Sequence, residues 1–126
     1  MEKELNIVKN IFRIAYIYGV LVLLPQYFLE TKNGIDYPPA ITHSEYYYGF
    51  IGVALAWQFV FYIISKDPIR YRSIIYPALF EKVSFGLPCI YLYLQGRLSS
   101  TMLLAGCIDL ILMCLFIYSL KKIPIE

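Results

Sequence analysis

Four stretches of this chain, residues 7–28, 46–65, 74–94 and 101–120, are each about 20 residues long and dominated by Leu, Ile, Val, Phe and Tyr. A bilayer core about 30 Å thick is crossed by about 20 mostly apolar helical residues. Meeting that length four times in 126 residues leaves little chain for anything else. The expected fold is therefore all-α, an integral membrane four-helix bundle forming one domain over residues 1–126. Composition agrees, with 60% hydrophobic and only 16% charged residues, where a soluble domain carries roughly 25% charged. The first stretch does not read as a cleaved signal, because it is long and no small-residue cleavage site follows it.

The connections carry their own stop and start signals. Between the first two stretches, Gly34, Pro38 and Pro39 interrupt any continuous helix, and Thr42-x-x-Glu45 has the pattern of a capping box. Asp67 before Pro68 reads as an N-cap followed by a good first helical residue, predicting a short interfacial helix that runs into the third span. Gly96 reads as a helix stop, with Ser99 or Ser100 capping the last span.

Charge sets the expected orientation. Lys3, Lys9, Arg13, Lys66, Arg70, Arg72, Lys121 and Lys122 fall on one side of a four-pass chain, and only Lys32 and Arg97 on the other. By the positive-inside rule both termini should be cytoplasmic. Tyr62, Tyr71, Tyr76 and Tyr118 would then form the inner aromatic belt, and Tyr27, Tyr37, Tyr46, Tyr47, Tyr48, Tyr91 and Tyr93 the outer one. A net charge of +2 without a basic block gives no support for nucleic-acid binding. The three cysteines lie inside apolar runs and read as small hydrophobes, not as a disulfide framework.

The third span carries Glu81 and Lys82, and the fourth carries Asp109 near its midpoint. Carboxylates at such depth cost about 2.5–3.5 kcal/mol on insertion scales and mark a site, a pathway or a pairing. Lys82, whose side chain tilts toward the N-terminal end of its helix, is expected to snorkel to the inner headgroups as an anchor, or else to partner Glu81. Pro77, Glu81, Ser84 and Pro88 share one helical face, which is expected to look into the bundle. Tyr16 and Tyr18 lie too deep for belt tyrosines, and Trp57 and Gln58 lie at the centre of the second span. Gly49, Gly52 and Ala56 are expected to let a neighbouring helix approach. The candidate ligand-binding set is thus Glu81, Asp109, Tyr16, Tyr18, Trp57, Gln58 and Ser84. Hydrogen-bond staples, a ligand or proton site, and a contact with a partner protein all fit this set. His43, the lone histidine, is a loop residue without a metal-ligand cluster. No catalytic motif is present, and none names a cofactor.

The segments "EYYYGFIGVALAWQFVFYIISKDPIRYR" and "PALFEKVSFG", followed by "LQGR" and Asp109, resemble a group of small bacterial four-span membrane proteins over nearly the whole chain. That resemblance implies a bacterial inner (cytoplasmic) membrane location but brings no activity. In size and helix layout the chain is also similar to DoxX-like proteins and to the EXPERA group, whose sterol isomerases and sigma-2-type receptors hold cationic or sterol ligands between helices against buried acids. This implies an intramembrane site at Glu81 and Asp109 for an apolar or cationic small molecule or lipid, bound or transported. Transport would take at least a homodimer, since four short helices enclose no wide pore. The alternative is a non-catalytic accessory or assembly subunit of a larger membrane complex. An EXPERA-like enzyme is disfavoured by the position of His43 outside the spans.

Overall fold

The computed structural model describes residues 1–125, and its described residues form helices joined by short turns. In chain order these are α1 (Glu2–Leu23), α2 (Glu30–Asp36), α3 (Ser44–Lys66), α4 (Ile75–Leu94) and α5 (Ser100–Lys122). Two 3₁₀ turns, Leu24–Phe28 and Arg72–Ile74, extend α1 and lead into α4. Three segments, Glu2–Phe28, Ser44–Lys66 and Ser100–Lys122, are long and apolar enough to cross a membrane. The helix α4, which carries Glu81, Lys82 and the internal Pro88, is not among them.

Consecutive long helices pair. Within the bundle α1 lies against α3 and α4 against α5, and the two hairpins meet chiefly where α1 packs on α5. The α4–α5 crossing is close because glycines face each other. A Cβ on Gly106 would lie 2.5 Å from the Cβ of Cys89, and one on Gly86 would lie 2.6 Å from Leu110 and 3.1 Å from the Gly106 carbonyl. The α1–α3 pair has a similar contact, since Gly19 leaves room for the side chain of Gln58. The expected Gly49–Gly52–Ala56 face is not such a surface. Gly49 and Ala56 are exposed, and a Cβ on Gly52 would make only an ordinary 3.4 Å contact with the Tyr27 hydroxyl.

The apolar core sits toward the end of the bundle where both termini lie. Val8, Phe12 and Ala15 of α1, Phe61 and Ile64 of α3, Ile75 and Ala78 of α4, and Phe116 of α5 are fully buried. Phe12 stacks on Phe116 at 4.4 Å between centroids, and Phe61 meets Phe116 edge-on at 5.2 Å. Around this end, cations lie over tyrosine rings: Lys66 over Tyr62, Arg70 over Tyr71, Arg72 over Tyr76 and Lys122 over Tyr118. These are the four tyrosines assigned to the inner belt. An aromatic body with a charge at its rim suits a headgroup region.

The opposite end is closed by α2. Ser44 and Tyr48 of α3 both donate to the Glu30 carboxylate, and Tyr47 donates to the Gln26 carbonyl at 2.6 Å. Glu45 pairs with His43 at 3.1 Å instead of closing the expected capping box, and α3 starts at Ser44 without a side-chain cap. The hydrogen bond and charge of Asp36, 2.8 Å away, hold the exposed Lys32 ammonium above its ordinary pKa. At the α4–α5 turn the stop signal reads true. Gly96 has φ +71°, Arg97 N–H donates to the Leu92 carbonyl and Gly96 N–H to that of Tyr93, the Schellman pattern. Ser99 then caps α5 by accepting from Met102 N–H at 3.3 Å. Asp67 does accept from Arg70 N–H, but the segment after it makes a turn and a 3₁₀ turn, not a separate helix.

Candidate functional site

On α4 the buried positions are Ile75, Ala78, Lys82, Gly86 and Cys89. Small residues one turn on either side of Lys82 let α4 sit close to its neighbours, so the lysine stem has nowhere to go but inward. This reverses two expectations. Lys82 does not snorkel; it is 3% exposed. The stripe of Pro77, Ser84 and Pro88 is exposed, with Glu81 at its border with the buried face. Its four-, three- and four-residue spacing describes the outward side of the helix.

Inside the bundle, the Lys82 ammonium lies 3.4 Å from Asp109 Oδ1 and 3.6 Å from Glu81 Oε2. It also lies 4.9 Å above the ring centroid of Phe61, whose negative face favours a cation. Two carboxylates from adjacent helices therefore share one ammonium. With all three ionised the cluster carries one net negative charge. Glu81 Oε2, although beside the ammonium, is buried without a hydrogen bond. Both acid side chains keep a little access, 17% for Glu81 and 15% for Asp109.

The remaining candidates make no hydrogen bond to the side chains of this cluster. Ser84 donates to the Glu81 backbone carbonyl at 3.0 Å and faces outward. Tyr16 packs its ring against Tyr62 and Phe59, at 5.1 and 6.0 Å. Trp57 packs on Phe61 at 6.4 Å. Among the described residues, neither Tyr16 nor Tyr18 donates to a carboxylate. Gln58 is buried, donates to the Ala54 carbonyl of its own helix at 2.8 Å, and leaves Oε1 unpaired against Gly19. The structure thus joins Glu81 and Asp109 through Lys82, matching the expected alternative of a Glu81 partner and adding a contact to Asp109 that was not expected. The signal that could have found it is the small-residue series Ala78, Gly86 and Cys89 on its own face. No family model matches this chain, and no curated protein or solved structure is detectably similar to it.

Proposed function

We propose that the chain is a four-pass protein of a bacterial inner membrane, with both termini cytoplasmic and α4 as the third of its four spans, that binds or transports an apolar or cationic small molecule or lipid at Glu81 and Asp109. The observation that carries this reading is the buried Glu81–Lys82–Asp109 cluster, in which two carboxyl groups share one ammonium and Glu81 Oε2 lacks a hydrogen bond. A ligand ammonium would supply the hydrogen-bond donor that Glu81 Oε2 lacks. Lys82 fixes where the two acids stand, and the Phe61 ring gives the cluster an apolar wall. The eight-to-two split of basic residues supports the orientation, and the three helices long and apolar enough to cross a bilayer support the membrane. Native mass spectrometry of the membrane-extracted protein tests the site. The native chain should retain a cationic molecule that Glu81→Gln loses and Asp109→Asn retains weakly. Identical bound species in all three would reduce the acids to structural staples.

A second reading rests on the outward face of α4. Pro88 cannot donate to the Ser84 carbonyl, and both residues are exposed. Such a freed carbonyl is tolerated at membrane depth where protein or water satisfies it. This favours a neighbour on that face, a second copy or a larger complex in which the chain is an accessory subunit. Ser84→Cys should then cross-link between copies under oxidation if the neighbour is a homodimer partner, and leave a monomer if it is not.

A further inference from the structure

A cleft of about 230 Å³ lies away from the buried cluster, at the end of the bundle where the termini lie. Arg70, Arg72, Ser73 and Tyr76, from the α3–α4 connection and the start of α4, line it with Ile69 and Pro124. The polar groups come from one continuous turn, and the apolar ones bracket it.

The two arginines differ in how they are held. Arg72 is fixed in place: Nη2 donates to the Leu120 carbonyl near the end of α5 at 3.1 Å, Nη1 reaches the Tyr76 hydroxyl at 3.4 Å, and Nε is buried without a partner. Arg70 is exposed and rests over the Tyr71 ring at 5.4 Å. Asp67, the nearest acid in sequence, is engaged by the backbone N–H of Arg70 and does not line the cleft. The ion pairs among the described residues involve neither arginine. Among the described residues, two guanidinium charges therefore flank a concave site lined by a serine and a tyrosine hydroxyl and by no acidic side chain.

We propose that this cleft binds the phosphate of an anionic phospholipid headgroup. Guanidinium and hydroxyl donors are the groups that recognise phosphate oxygens. The cleft sits on the rim where Lys66, Arg70, Arg72 and Lys122 lie over tyrosines, the side that the positive-inside rule assigns to the anionic leaflet. Ile69 and Pro124 offer an apolar wall for the glycerol and upper acyl region. A zwitterionic choline headgroup would bring its own cation against the arginines.

Native mass spectrometry of the full chain released from micelles, titrated with phosphatidylglycerol or phosphatidylcholine, tests this. Phosphatidylglycerol should be retained several-fold better, and Arg70→Gln and Ser73→Ala should each remove most of that preference. Arg97→Gln, at the other end of the bundle, should leave it intact. Equal retention of the two lipids, or an Arg97→Gln effect as large as that of Arg70→Gln, would overturn the proposal in favour of general charge attraction. Added inorganic phosphate separates the sources. Failure to displace the lipid supports a headgroup site, whereas displacement at millimolar phosphate would show a free-phosphate site and overturn the lipid assignment.

Discussion

Lys82 is the residue on which the interior depends. Removing one partner of a buried ionic cluster costs about 3–5 kcal/mol because the remaining charge is left uncompensated, whereas replacing the whole set with neutral groups is often close to neutral. Lys82→Met should therefore destabilise the protein by about 3–5 kcal/mol in detergent unfolding. The triple variant Glu81→Gln, Lys82→Met, Asp109→Asn should recover most of that loss. Glu81→Gln alone should fold nearly as the native chain does, because Asp109 still holds the ammonium at 3.4 Å. A Lys82→Met variant as stable as the native chain would show that the ammonium lies outside the cluster. The two acids were legible in the sequence because carboxylates in an apolar run stand out. The role of Lys82 stayed open between snorkelling and pairing with Glu81, because a long stem can do either, and its contact with Asp109 was not foreseen. Only the closeness of α5, set by Gly86 and Gly106, decides between them.

Among the helices, periodicity and end signals succeeded where the decisive contact is local. Gly96 and Ser99 act through their own turns, so the α4–α5 connection formed as read. The Thr42–Glu45 box failed because Glu45 turned to His43, only two residues back, while the adjacent Ser44 was drawn to Glu30 on α2. The small-residue argument failed on α3 for a related reason. A glycine pair on one helix shows that close approach is allowed, not which helix uses it. The structure places the tight crossing at Gly86 and Gly106 instead. Gly106→Ala should cost about 1–3 kcal/mol by forcing α4 and α5 apart, since its Cβ would meet Cys89 at 2.5 Å. Gly49→Ala, with nothing within 4 Å, should be neutral or stabilising by up to about 1 kcal/mol through helix propensity. Equal losses for both, measured by thermal melting in micelles, would remove the crossing from this account.

For the whole molecule, hydrophobic length made the all-α class and the apolar helices readable from sequence, while orientation rests on the distribution of Lys and Arg. With the native cysteines replaced, Thr31→Cys in α2 and Lys66→Cys at the end of α3 provide exposed reporters at opposite ends of the bundle. An impermeant maleimide added to intact cells should modify position 31 and not position 66, and labelling at 66 alone would invert the topology. The central claim concerns the two acids that share Lys82 inside the bundle. A ligand that binds only the folded state raises the melting temperature with its concentration. Hexylammonium, an apolar cation whose N–H groups can donate to Glu81 Oε2, is a direct probe when titrated against the melting temperature of the detergent-solubilised protein and of Glu81→Gln. The expected result is a concentration-dependent rise in the native chain that is lost in a Glu81→Gln variant melting at the native temperature without probe. An equal rise in both, or none in either, would contradict a cation site at Glu81.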